Sequence, residues 1–368
     1  MNVNRNSQGN KNKSEGKQEC CEPAPCCTLV EQKNMQEIAK GPLSVSTHLS
    51  WADKWSHIKV RWGVGRMKSE VEPGIYAVGN PEENSIVLVS ANYKLSFDTL
   101  RKELTGLDAW ILVLDTKGIN VWCAAGKGTF GTDELVHRIE VTGLKEIVSH
   151  RKLIVPQLGA PGVSAHEVKR RSGFSVIYGP VRASDIPAFL QAGKKATPEM
   201  RRVRFSLWDR MKVIPVELTQ GSSKLFLIML VFFLLSGFNS KGYSINAATT
   251  AGIRAALLLL LAFIVGTVAG PLLLPWLPGR SFSFKGFAIG LLFFLAAFFV
   301  ILPGISMIEV FAWFLLISAI ASFLTMNFTG ASTYTSLSGV KKEMRVAVPA
   351  QLAAAVIGIL LWLVGRFF

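Results

Sequence analysis

The stretch with the most chemistry per position is Asn120, Val121, Trp122, Cys123, Ala124, Ala125, Gly126, Lys127, Gly128, Thr129, Phe130 and Gly131. Cys123 is the one cysteine outside an N-terminal polar tail, and a thiolate is both a nucleophile and a soft metal ligand. Lys127 and the N-terminus of a helix expected to open at Thr132 supply positive potential that favours the anion. The small residues Ala124, Ala125, Gly126 and Gly128 let a large planar ligand come close to the backbone. Asn120 is expected to hold the loop through side-chain hydrogen bonds, with Trp122 packed against it. Spacing alone leaves a second reading open, in which Cys123 is an inert buried thiol at a strand end and its neighbours are core.

The same stretch contains Gly126-x-Gly128-x-x-Gly131, which satisfies the dinucleotide-binding pattern. The next apolar run, 153–155, leads to Gln157 instead of the acidic residue that would hold an adenosine ribose. A phosphate-binding P-loop fails because Gly128 follows Lys127 where Ser or Thr should meet magnesium. A second glycine-containing turn, Gly159, Ala160, Pro161 and Gly162 followed by Ser164 and His166, suits the edge of a large ligand, or is an ordinary loop. Tyr178, Gly179 and Pro180 form a weaker version. His48, His57, His137 and His150 have no metal-ligand spacing and read as surface residues. Cys20, Cys21, Cys26 and Cys27 crowd a tail with few large apolar residues; flexible thiols of this kind could wrap a soft, thiophilic cation or be bystanders.

Apolar runs at 75–78, 86–89, 110–114, 153–155 and 175–178 read as strands. Residues 119–122 extend into a glycine-rich turn. Helical stretches are expected at 97–104, at 132–141 with Thr132 as cap, at 164–169, and at 184–190 capped by Ser184. This alternation implies a doubly wound, Rossmann-like α/β domain, whose ligands bind at the carboxyl ends of the strands. Trp51, Trp55, Val60, Trp62 and Val64 form the first apolar cluster, so the domain is expected to span 51–206, after a disordered tail over 1–50.

Beyond Ser206 the character changes. Apolar runs at 225–238, 255–276, 286–302, 305–326 and 346–364 approach the ~20 residues that cross a bilayer, so 207–368 reads as an all-α five-helix transmembrane domain. The formal charge of +15 is concentrated partly beside these runs, where basic residues set orientation, and no nucleic-acid motif accompanies it. Basic connections before the first run, at Arg280 and Lys285, and at Lys341, Lys342 and Arg345 put the α/β domain, the N-terminus and the 328–345 loop on the cytoplasmic side of the inner membrane, with the C-terminus outside. Arg254 and Glu309 lie near outer ends of their spans and are expected to snorkel to the interface. The polar, glycine-rich loop from Asn327 to Gly339 could dock the α/β domain or a redox partner. The first forty residues lack the apolar core of a secretory signal.

Residues 120–127 resemble the signature of the corrinoid protein family of microbial mercury methylation. The resemblance runs over about 73–190, including Ser90-Ala91-Asn92-Tyr93-Lys94-Leu95-Ser96-Phe97-Asp98 and Gln157-Leu158-Gly159-Ala160-Pro161-Gly162, and a five-span anchor follows as in that family. More broadly the α/β domain is similar to the corrinoid domain of the corrinoid iron–sulfur protein of acetyl-CoA synthesis. The resemblance implies a cobalamin-type corrinoid with Cys123 as the lower axial ligand to cobalt, held in a short capping helix. It also implies transfer of a methyl group from a folate-type donor, through a separate methyltransferase and the cobalt, to mercury(II). A thiolate opposite the methyl group donates more electron density than imidazole, which suits delivery of methyl to a soft electrophile. The usual histidine motif D-x-H-x-x-G is absent. Return of cobalt to its lowest state implies a ferredoxin-like partner with two iron–sulfur clusters. A membrane-tethered corrinoid carrier of one-carbon metabolism with a different acceptor fits the same residues.

Overall fold

The computed structural model describes residues 41–328 and 337–367, so the tail cysteines and the centre of the 327–339 loop lie outside it. Two apolar runs, Ile86–Ala91 (β3) and Ala109–Leu114 (β4), are almost wholly buried on both faces, as parallel strands covered by helices must be. Around them form Leu43–Ser44 (β1), Gly74–Val78 (β2), Lys152–Val155 (β5) and Ser175–Tyr178 (β6), giving one six-stranded sheet in the order β1-β2-β4-β3-β5-β6. The pairs β3–β4, β3–β5, β5–β6 and β1–β2 are parallel and β2–β4 is antiparallel. The chain is thus a mixed-sheet α/β domain followed by apolar helices. Because β1 pairs with β2, the sheet starts ahead of Trp51.

Helices cover both faces. Trp51–Arg61 (α1) and Lys94–Lys102 (α2) precede Val121–Lys127 (α3), Thr132–Val141 (α4), Leu144–Ile147 (α5), Ala165–Ser172 (α6) and Ile186–Gln191 (α7). Phe97 and Leu100 of α2 and Phe189 of α7 pack with Leu88, Ile111 and Val113 on one face. Leu135 and Ile139 of α4 and Val168 of α6 pack with Val89, Leu112 and Leu114 on the other. The chain leaves β3 on the first face to reach β4, then crosses back on the second to β5. The carboxyl ends of β3 and β5 are therefore neighbours whose following helices lie on opposite faces, the switch point at which such sheets open a crevice.

Three local expectations are corrected. The glycine-rich turn is a helix, α3, with Gly126 and Lys127 inside it, so the glycine pattern forms no nucleotide loop. The cap of α4 is Gly131; Thr132 is its first residue, and its hydroxyl accepts from the Ser164 N–H at 2.9 Å. Ser184 sits in a 3₁₀ turn, Ala183–Asp185, ahead of α7.

The tryptophan cluster is also corrected. Val60 is buried, but Trp51, Trp55, Trp62 and Val64 face outward. The inner face of α1 is occupied by charge: Asp53 meets Lys94 at 2.7 Å and Arg101 at 2.9 Å, and His57 Nε2 lies 2.8 Å from Asp98. Asp98 also meets Arg101 at 2.7 Å and Lys94 at 3.0 Å. Apolar rings have no place in that contact. His57, expected at the surface, is half-buried within it.

After Leu207–Met211 (α8), the described residues form five helices long and apolar enough to cross a membrane. They are built on Ile214–Leu235 (α9), Ile245–Ile264 (α10) continuing through a π turn into Gly270–Leu273 (α11), Phe282–Val300 (α12), Met307–Asn327 (α13) and Leu337–Val364 (α14). Gly286 and Gly290, one turn apart on α12, let its backbone approach Ala321 and Ser322 of α13. Arg254 and Glu309 do not snorkel apart. Glu309 is buried and bound to Arg366 at 2.5 Å and Arg254 at 3.5 Å, because an isolated carboxylate there costs more than a paired one.

Candidate functional site

Asn120 caps α3. Its extended backbone turns the chain out of the β4 loop, and its Oδ1 accepts from the Cys123 N–H at 2.9 Å. Gly128, at φ +84°, ends the helix in the left-handed conformation that spares it a Cβ clash. Cys123 is therefore fixed on the first turn of a seven-residue helix, half-buried and outside any disulfide. Ala124 and Ala125 face the core, whereas Gly126 and Lys127 are exposed, with open space where a Gly126 Cβ would stand.

The loop that delivers α3 hangs from one buried side chain. Asn92, just past β3, accepts through Oδ1 from the Thr116 N–H at 3.1 Å, the Thr116 hydroxyl at 2.8 Å and the Gly118 N–H at 3.0 Å. Its Nδ2 donates to Asp115 at 3.3 Å. The second turn props α3 from below. A Cβ on Gly162 would overlap the Phe130 carbonyl oxygen, and one on Gly159 would overlap the Phe130 ring. These glycines are required for backbone packing behind α3.

A cavity of about 450 Å³ opens at the β3/β5 switch point, within the size range of ligand sites. Leu88, Val89 and Ile154 form its apolar floor, and Asn120, Val121 and Trp122 bring α3 to its rim. Gly179 contributes from the turn after β6, and Lys212 and Val213, at the start of the first membrane helix, close the far side. The cavity thus lies between the carboxyl edge of the sheet and the helical bundle.

Of the residues singled out in the sequence, Asn120, Val121, Trp122, Gly179 and Pro180 line this cavity. Cys123, Ala124, Ala125, Gly126, Lys127 and Gly128 lie on or just beyond the helix at its rim. Gly159 and Gly162 stand behind that helix, with half-buried Ala160 and exposed Pro161 between them. Tyr178 is a strut whose hydroxyl donates to the Val163 carbonyl at 2.6 Å. His166 projects from α6 into solvent.

Sequence reasoning missed Tyr93, Arg61 and Arg66, all of which line the cavity. Tyr93 is buried and its hydroxyl has no hydrogen-bond partner. Burial pushes the Tyr93 phenol above its ordinary range; Arg66 and Arg61 oppose the rise and Cys123 adds to it, so the phenol and the thiol share one local field. Arg66 lies over the Tyr93 ring at 5.9 Å. Burial lowers the Arg61 guanidinium, with Arg66 pushing the same way. The position of Tyr93 directly after β3 was the available signal, readable once β3 is known to border the switch point. The site thus combines an apolar floor, an unpartnered phenol, guanidinium groups and a thiol on a capped helix, which suits a large, mostly apolar ligand with anionic or amide edges.

Residues 64–190 match the family model described as CO dehydrogenase/acetyl-CoA synthase delta subunit. The chain is 35% identical over 128 residues to the acetyl-CoA decarbonylase/synthase complex subunit gamma of Methanopyrus kandleri, covering 34% of this chain and 27% of that protein. It is 34% identical over 128 residues to the subunit gamma of Methanocaldococcus jannaschii, covering 34% and 26% respectively. The corresponding subunit of Archaeoglobus fulgidus is 32% identical over 128 residues, covering 34% and 27%. The chain spans about a quarter of the length of the curated relatives it matches. The family-model match falls within the α/β domain and includes α3 and most of the residues that line the cavity, but not Arg61, Lys212 or Val213.

Proposed function

We propose that the α/β domain is a corrinoid-binding methyl carrier, held at the cytoplasmic face of a membrane by the helical bundle, that passes methyl from a folate-type donor to mercury(II). The observation that carries this reading is Cys123, on the first turn of a capped helix at the rim of a switch-point cavity, within the segment that resembles the corrinoid signature. The residues fit such a group. The floor is apolar, the Tyr93 hydroxyl is free to meet a corrin-edge amide, and space is open over Gly126. When bound, the group supplies a cobalt centre that accepts and releases methyl.

The chain's own residues supply the setting. Cys123 Sγ would hold the group through its metal, and the Asn120 cap fixes where that sulfur stands. Trp122 and Val121 would exclude water from the rim, while Arg61, Arg66 and Lys212, which also line the cavity, would meet anionic groups of the ligand. Cys123, the one cysteine among the described residues, cannot hold an iron–sulfur cluster by itself. The resemblance supplies the partners: a ferredoxin-like protein with two iron–sulfur clusters for low-potential electrons, and a separate methyltransferase for methyl. A second reading draws on the acetyl-CoA decarbonylase/synthase relatives: a tethered methyl carrier of one-carbon metabolism with a different acceptor.

Membranes containing this chain, given reduced partner, methyl donor and mercury(II), test both. Methylmercury should form with the native chain and fall to background with Cys123→Ala. Equal methylmercury from both would overturn the role of Cys123; methylation of another acceptor without mercury would select the second reading.

A further inference from the structure

Helix α1 presents two unlike faces. Asp53 and His57 turn inward onto α2 and Val60 is buried, while Trp51, Trp55, Ile58 and Trp62, spaced four, three and four residues apart, make one outward stripe. Trp51 is 84% exposed, Trp55 58% and Trp62 47%, and exposed Val64 and Met67 continue the patch. Three exposed indoles on three turns of helix are a large apolar surface to leave in water. Between residues 51 and 68 stand five basic residues (Lys54, Lys59, Arg61, Arg66, Lys68) against one acidic residue, Asp53, which is turned inward.

The position of the helix indicates what covers it. Gly63, immediately after α1, packs against α9: a Cβ there would lie 3.1 Å from Thr219 Oγ1 and 3.6 Å from Val216. Thr219 precedes the start of the apolar run at Leu225 by about 9 Å at the helical rise. The headgroup layer on each side of a ~30 Å hydrocarbon core is roughly 5–8 Å thick, and an interfacial helix sinks its apolar face about 5–10 Å into that boundary. At the same end of the bundle, Trp208 is 70% exposed and Trp276 68% exposed, and the Arg210 guanidinium lies over the Trp276 ring at 5.5 Å. Exposed tryptophans with basic neighbours at one end of a helical bundle are the pattern of a membrane-interface belt.

We infer that α1 is an interfacial helix that lays its tryptophan face into the headgroup layer of an anionic bilayer, clamping the α/β domain against the membrane. Its inner face grips α2 through Asp53 and His57, and Arg61 reaches the cavity from the end of the same helix, with Arg66 joining it from the 3₁₀ turn that follows. The lipid surface and the cavity are thereby linked through one rigid helix. The inference rests on the membrane reading of the bundle and is independent of which ligand the cavity takes.

The test uses the full chain, one copy per nanodisc, in mixed phosphatidylcholine and phosphatidylglycerol with lipids brominated near the acyl carbonyl. Bromine quenches indoles at headgroup depth. In a Trp51→Phe/Trp55→Phe variant the quenched share of total emission should fall, because the indoles removed are quenched ones. If those indoles stand in water, the quenched share rises instead, and the inference fails. Native quenching should also increase with phosphatidylglycerol, and a Lys54→Glu/Lys59→Glu variant should lose that dependence; an unchanged dependence would overturn the anionic preference. If Trp51 and Trp55 are shielded from both bromine and aqueous iodide until residues 1–40 are removed, the N-terminal segment covers the face and the membrane does not.

Discussion

The Asn120 side-chain oxygen accepts a 2.9 Å hydrogen bond from the backbone N–H of Cys123, so the residue three places before the thiol sets where the thiol stands. A seven-residue helix has too few internal hydrogen bonds to hold itself, and its cap therefore carries a large share of its order. Asn120→Ala should cost about 1 kcal/mol in unfolding free energy, whereas Asn120→Asp should keep the cap and cost less. Denaturant unfolding of the two variants checks this; equal losses would show that the cap does not hold α3.

Asn92 makes a stronger case. Its removal strands the Thr116 and Gly118 N–H groups in a buried loop, each at about 1–3 kcal/mol. Asn92→Ala should destabilise the chain by more than Asn120→Ala and raise amide exchange at residues 115–120 first. Uniform exchange across the sheet, with no early loss in that loop, would contradict the role assigned to it.

Tyr93 has the opposite expectation. Its hydroxyl has no partner, so Tyr93→Phe removes a desolvated group and should leave the ligand-free melting temperature unchanged or slightly raised. Corrinoid affinity should fall by roughly tenfold, about 1.4 kcal/mol, if that hydroxyl meets the ligand. Unchanged affinity would remove Tyr93 from the site.

The contact between α1 and α2 is pH-dependent in a direction that can be worked out. Burial opposes ionisation of Asp53 and Asp98, but hydrogen bonds outweigh it: from Lys94, Ser50 and Arg101 on Asp53, and from His57, Arg101 and Lys94 on Asp98. Both carboxyls are held below their ordinary range. Carboxyls depressed in the folded state contribute stability that is fully present above the unfolded value of about 3.9 and is lost as pH falls through the folded values. Melting temperature should therefore hold between about pH 7 and 5 and drop below about pH 4. Asp98→Asn should cost about 3 kcal/mol at neutral pH by leaving Asp53 as the one carboxylate shared by Arg101 and Lys94, and should make the acid drop shallower. An acid drop of full size in that variant would place its origin elsewhere.

The two halves of the chain were legible in the sequence for the same reason: strands such as β4 and helices such as α13 are continuous apolar runs whose length alone separates them. The helix that presents Cys123 was legible only through the family resemblance, which implies a short capping helix, and not from the local residue pattern. Val121, Trp122 and Gly126 are weak helix formers, and α3 exists because Asn120 caps it and the 157–159 turn supports it. The face of α1 was misjudged because its burial is decided by Lys94, Asp98 and Arg101, about forty residues away. Tyr93 stood in a segment already recognised, but its place at the cavity depends on strand order, which no local pattern encodes.

The central claim is that Cys123 holds a corrinoid through its sulfur, and the visible spectrum of the full chain loaded with cobalamin tests it most directly. The native chain should bind cobalt-containing corrinoid and show a thiolate-ligated spectrum. Cys123→Ala should keep the fold, as judged by an unchanged melting transition, and lose that spectrum. A Cys123→Ala spectrum identical to native, or a purified native chain that carries dinucleotide and no cobalt, would contradict the account.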